Sequence, residues 1–140
     1  MVKADGPRAG GRVRGDGDDR SSTKAVGDAA EDRALAHLQA RGLRLLARNY
    51  RLAGGPHQRG AEIDLILQDG DGTVVFVEVR SRRRAGAGGA AASVGHAKQQ
   101  RLIRAAQHWL LGCRVLPPCR FDVVAIDGDR LQWLPAAFSA

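Results

Sequence analysis

Aromatic side chains are scarce, with three Phe, two Trp and one Tyr among 140 residues. Trp109 and Trp133 stand apart from other aromatics, so a platform for stacking bases is not built and both read as packing residues. Cysteine is scarcer. Cys113 and Cys119 flank a Pro-Pro pair at a spacing that suits neither a zinc pair nor a redox CxxC, and they read as small apolar fillers. No apolar run approaches a membrane span and the start has no signal-peptide core, so a cytoplasmic protein is expected. Lysine is nearly absent too: Lys3, Lys24 and Lys98 are the only three of the 22 basic residues that are not Arg.

What is present divides unevenly along the chain. Residues 1–24 are rich in Gly, Asp and Arg, with almost no large apolar side chain to offset the entropy of ordering, and they read as a disordered leader. Six Lys/Arg stand against four Asp/Glu there, and sixteen against eleven in residues 25–140, so most of the net charge of +7 belongs to the remainder. That remainder is long enough for one domain with a modest core. Its positive balance is compatible with a phosphate backbone as partner.

The apolar pattern predicts seven elements. Val26, Ala30, Ala34, Leu35 and Leu38 recur at helical spacing over residues 26–41, and Gly42 is a stop. Residues 43–50 read as a strand ending in an Arg48-Asn49-Tyr50-Arg51 corner, before an Ala53-Gly54-Gly55-Pro56 loop. Residues 62–68 and 73–81 read as antiparallel strands joined by the Asp69-Gly70-Asp71-Gly72 turn. After an Arg- and Gly-rich stretch over residues 82–95, Ala97, Leu102, Ala105, Ala106, Trp109 and Leu110 define an amphipathic helix closed by Gly112. Residues 121–126 and 131–134 are the last strands, giving the order α-β-β-β-α-β-β.

Strand alternation places Glu62, Asp64 and Ile66 on one face and Ile63, Leu65 and Leu67 on the other. It also groups Phe76, Glu78 and Arg80 against Val75, Val77 and Val79. Glu78 is thus an acid in a strongly apolar strand, where an unpaired carboxylate costs several kcal/mol. Two partners would satisfy it: an Arg such as Arg80, giving a structural ion pair, or a metal ion shared with Asp64. Two hard oxygen ligands from adjacent strands suit Mg²⁺ or Mn²⁺ chemistry on phosphodiesters. Glu62 is either a further ligand or the polar start of its strand.

Glu31 in the first helix, EIDLI at 62–66, FVEVR at 76–80, Lys98 and RFDVV at 120–124 resemble the YraN-like family of endonuclease-related bacterial proteins over about residues 27–140. The Arg48-Asn49-Tyr50-Arg51 corner and Ala137-Phe138 add to the resemblance. It implies a restriction-endonuclease-like α/β fold, a mixed β-sheet flanked by helices, as in Holliday-junction resolvases and other PD-(D/E)xK nucleases. By the same resemblance Asp64 and Glu78 are metal ligands, Glu31 joins the metal shell, and the cofactor is Mg²⁺ or Mn²⁺.

Arg80 stands where that pattern has Lys. A lysine can lose its proton to act on water, whereas arginine stays protonated and can only clamp phosphate or stabilise charge. Lys98 is the candidate replacement, reaching the site from the start of the second helix. Arg82, Arg83 and Arg84 form a basic loop, and Lys98, Arg101 and Arg104 a polar helix face, suited to nucleic-acid backbone or simply to water. His57 and His96 read as exposed loop residues, and Asp122 as the partner of Arg120.

The expected function is a metal-dependent endonuclease acting on structured or branched DNA. Homodimerisation would let two sites cut both strands. The alternatives are a catalytically silent nucleic-acid-binding module and a protein-interaction adaptor that retains the nuclease fold.

Overall fold

Two unbroken runs of buried residues, 74–78 and 121–126, mark strands covered on both faces. They are β3 (Val74–Arg82) and β4 (Cys119–Asp127), paired in parallel with Val77 opposite Asp122 and Glu78 opposite Val123. A parallel neighbour requires a crossover, and α2 (His96–Leu110) lies within it. β1 (Arg44–Leu52) and β2 (Ala61–Gln68) extend the sheet on one side and β5 (Arg130–Phe138) on the other, each antiparallel to its neighbour. With α1 (Asp19–Ala40) at the start, the order is the expected α-β-β-β-α-β-β, and the five strands lie side by side in chain order. The computed structural model describes residues 19–82 and 94–140, with side chains from residue 25 and without that of Arg82. The expectations placed on residues 1–18 and on Arg82, Arg83 and Arg84 as phosphate contacts lie outside the described residues.

Each helix covers one face of the sheet. α1 sets Ala30, Ala34 and Leu38 on Leu65, Leu67, Val75, Val77, Val124 and Ile126. α2 sets Leu102, Ile103, Ala105 and Ala106 on Ile63, Ile66, Phe76, Phe121 and Val123. Each large side chain buried in this way contributes about 1.5–3 kcal/mol of transfer free energy. The few aromatics are concentrated on the α2 side. Phe76 stacks on Phe121 at 5.4 Å and meets Trp109 edge-on at 5.9 Å, and Phe121 stacks on Phe138 at 4.9 Å. Trp109 and Trp133 therefore pack, as their isolation in the sequence implied.

Asp122 is fully buried and ties β5 to β4. Its carboxylate accepts from Arg120 Nε at 3.0 Å, Trp133 Nε1 at 2.9 Å and the Ala136 N–H at 2.8 Å. The ion pair with Arg120 was expected, and the two other donors explain why β5 runs to Phe138 rather than stopping at Leu134. Held by Asp122, the strand continues past Pro135 with Ala136 in the left-handed region at φ 51°.

Four further expectations are corrected. α1 begins at Asp19, not Val26, and Val26 is 51% exposed because it lies beyond the stripe that reaches the sheet. The Arg48-Asn49-Tyr50-Arg51 corner is not a strand end, since β1 continues to Leu52. Ala97 is exposed, at the end of α2 that projects past the core. Cys119 is exposed and Cys113 half-buried, because Cys113 lies with Val115 and Leu116 in the loop between α2 and β4 and Cys119 is the first residue of β4, outside the core.

Candidate functional site

β2 and β3 pair only where Leu65, Ile66, Leu67 and Gln68 face Val77, Phe76, Val75 and Val74. Continued, the ladder would set Asp64 against Glu78 and then Ile63 against Val79. Instead the Val79 N–H donates to Asp64 Oδ2 at 2.8 Å, so a side-chain carboxylate takes the place of a ladder carbonyl. The two strands open at that point. Ile63 packs on the α2 side while Leu65 and Leu67 pack on the α1 side, so strict alternation breaks at Asp64. The expected common face of Ile63, Leu65 and Leu67 is corrected accordingly. In β3 the alternation holds, with Phe76 toward α2 and Val75, Val77 and Val79 toward α1.

β1 is irregular at the same level. Asn49 falls between the pairs Arg48 with Leu65 and Tyr50 with Ile63, and adopts φ 53°. Asn is one of the few residues with a side chain that visits this region readily. Its Nδ2 donates to Glu31 at 3.1 Å and to Glu62 at 3.1 Å, tying α1 to β2. Arg48 Nε donates to Glu31 at 3.3 Å and its Nη2 pairs with Asp32 at 2.8 Å. Asn49→Ala is expected to cost about 2–3 kcal/mol, combining left-handed strain with the lost amide. Asn49→Gly should recover the strain but not the hydrogen bonds. Equal denaturation midpoints for the two variants would show that the backbone conformation carries no cost.

Glu78 is 5% exposed on β3. Its Oε2 lies 3.4 Å from Lys98 Nζ and 3.6 Å from Arg80 Nη1. The structure thus brings Lys98, from the first turn of α2, to the same carboxylate as Arg80. Burial, followed by the charge of Glu78, pushes the Asp64 carboxyl up to about 8, against the pull of the Val79 N–H; Glu31 and Glu62 push the same way. Three carboxylates therefore act on Asp64 where β2 leaves β3. As the side chains stand, no three Asp, Glu, His or Cys among the described residues form a group that could hold a metal ion alone. Asp64 and Glu78 still suit a hard divalent cation by donor chemistry, being two largely buried carboxylates on neighbouring strands, close enough for the charge of one to act on the other. Glu31 is engaged by Arg48 and Asn49, and its effect on Asp64 is one of charge.

Arg101 lies half-buried one turn beyond Lys98, and Arg104 Nη2 donates to the Arg59 carbonyl at 2.6 Å. His57 and His96 are exposed, as expected for loop or terminal positions. Asn49, Arg51 and Arg59 were not singled out from the sequence as site residues. The signal for Asn49 was its place inside a strand, a position that disfavours Asn unless the backbone turns left-handed there. For Arg51 and Arg59, which lie on either side of the Gly-rich loop, the sequence carries no signal that distinguishes them from other exposed arginines.

The profile described as "Uncharacterised protein family UPF0102" matches residues 30–126, a span running from the α1 turn that carries Glu31 to the end of β4. A UPF0102 protein of Methylibium petroleiphilum is 62% identical over 119 residues, covering 85% of this chain and 98% of that protein. One from Paracidovorax citrulli is 62% identical over 121 residues, covering 86% and 87%. Another, from an Acidovorax species, is 58% identical over 131 residues, covering 94% and 96%. The matched span contains Glu31, Asn49, Glu62, Asp64, Glu78 and Lys98, and the chain belongs to the UPF0102 family.

Proposed function

We propose that this protein is a metal-dependent endonuclease of the restriction-endonuclease-like class, acting on structured or branched DNA. The observation that carries this reading is the meeting of Asp64 and Glu78 where two central strands part, with Lys98 on Glu78. Mg²⁺ or Mn²⁺ between the two acids would neutralise them and supply Lewis-acid activation of water and phosphate. Asp64 is oriented for this by the Val79 N–H. Arg80 stays charged and serves to hold a phosphate oxygen. Lys98 is the amine that orients the attacking water.

The test is a panel of labelled single-stranded, duplex, flap and four-way-junction DNAs with Mn²⁺. Cleavage of at least one is expected, slowed by roughly 10²–10⁴-fold in Lys98→Ala, the span typical of a positioned proton-handling group. Arg80→Lys should increase the rate. Wild-type turnover left intact by Lys98→Ala would remove that residue from the chemistry. A second reading, a silent nucleic-acid-binding module, is favoured by the fact that Lys98 and Arg80 already neutralise Glu78. Tight, salt-dependent binding without cleavage of any substrate would select it.

A further inference from the structure

Next to the acid pair, a cleft of about 610 Å³ opens between the loop after β1, the start of β2 and the first turns of α2. Among the described residues, Arg51, Arg59, Lys98 and Arg101 line it, against the single carboxylate of Glu62. Two of these residues also belong to the acid site: Lys98 pairs with Glu78, and Glu62 accepts from Asn49. The cleft and the site are therefore continuous. Its floor is aliphatic, from Leu52 and Leu102, and among the described residues no aromatic ring lines it.

The outer wall is set by the chain itself. Gly55 and Gln58 exchange backbone hydrogen bonds across the loop, and Arg104 grips the Arg59 carbonyl from α2. Gly54 passes so close to the Gln58 carbonyl and the Gly60 nitrogen that an added Cβ would sit 2.4 and 2.6 Å from them. A wall fixed in this way holds Arg59 opposite Arg101 before any ligand arrives. Arg51 is partly engaged by Glu62 at 3.7 Å, with 71% of its side chain exposed.

We infer that this cleft is a phosphate subsite, in which Arg51, Arg59 and Arg101 hold the backbone of a nucleic-acid strand flanking the phosphodiester presented to Asp64 and Glu78. The inference rests on the nucleic-acid part of the proposed function and adds where, and by what, the strand is held. Four cations against one carboxylate select an anionic backbone, and guanidinium groups match phosphate oxygens in a fork. Without a ring to stack on, the grip reads charge and not base identity. The volume suits one or two nucleotide units, so a single strand enters while a duplex lies across the mouth.

The decisive measurement is fluorescence anisotropy in EDTA, with a labelled mixed-sequence single strand and its duplex, on the full chain. EDTA separates this question from the metal site. Arg59→Glu and Arg101→Glu should each weaken single-strand binding on the order of tenfold, and flatten the log K against log salt slope by about 0.7 per contact. Arg44→Glu makes the same charge change at the opposite end of β1, where the register partner is Gln68, and should leave affinity within about twofold. Arg59→Gln keeps size without charge and guards against a folding defect in the reversal. If all three Glu variants weaken binding equally, or the cleft variants bind as wild type does, the cleft is not the subsite, while the nuclease reading stands. If the wild type binds neither DNA at low salt, both fall together.

Discussion

Mn²⁺ at a hundredfold excess over its dissociation constant should raise the melting temperature of the wild-type protein by on the order of 10 °C, and Asp64→Asn should abolish that gain. A ligand bound only to the folded state at that excess stabilises by about 2.7 kcal/mol, which for a domain of this size corresponds to a shift of that order. The metal-free proteins should rank the other way. The folded state holds the Asp64 proton to about 8, against an ordinary value of 3.8. A carboxyl whose folded pKa is raised costs nothing below its unfolded value. The cost grows as pH climbs through the window between the two and is complete above the folded value. Asp64→Asn removes the cost, so in EDTA at pH 8 the variant should melt several degrees above the wild type, with the difference vanishing near pH 4. Because a cation must displace the proton, the Mn²⁺ gain should also fall as the pH is lowered from 8 to 6. Parallel curves for the two proteins with and without Mn²⁺ would mean that Asp64 is not a ligand.

Asp122→Ala should be the most damaging single change to the fold. It removes the acceptor for Arg120, for the Trp133 indole and for the Ala136 N–H at one stroke. Stripping one partner from a buried charged network costs about 3–5 kcal/mol, a large part of the 5–15 kcal/mol typical of a domain. A fall in melting temperature on the order of 15 °C is expected by circular dichroism. Asp122→Asn keeps acceptor oxygen but not charge and should fall between the two. A loss below about 1 kcal/mol in the Ala variant would mean that water takes over the three donors. The metal response should survive at temperatures where the variant is folded, since Asp122 bonds Arg120, Trp133 and Ala136 and shares none of the partners of Glu78 and Asp64.

Periodicity made much of this molecule legible beforehand. The order of the seven elements, the antiparallel contact of β2 with β3, and the placing of Glu78 opposite the Val75, Val77 and Val79 face all follow from spacing alone. What spacing misses are the places where a side chain substitutes for backbone. Asp64 replaces a ladder carbonyl, and this turns Ile63 away from the face of Leu65. Asn49 replaces a strand conformation, and this lets β1 run on where a corner was expected. Asp122 holds a strand past a proline that a pattern of alternating residues would treat as its end. Each is a long-range contact between residues 13 or more apart, and local propensity carries no information about it. The meeting of Lys98 with Glu78 is of the same kind: a lone lysine in an arginine-rich chain marks the position, but only the packing of α2 over β2 supplies the neighbour.

The last strand has a consequence beyond stability. β5 forms one border of the sheet, and a border with free amides and carbonyls is a template on which another chain can crystallise as an extra strand. Here Pro135 has no amide to offer, and the next amide, on Ala136, is turned inward to Asp122. The regular ladder is thus interrupted at that point of the edge strand. This edge is a poorer template for an added strand than a regular one, and the residue that interrupts it is the same buried aspartate that ties β5 to β4.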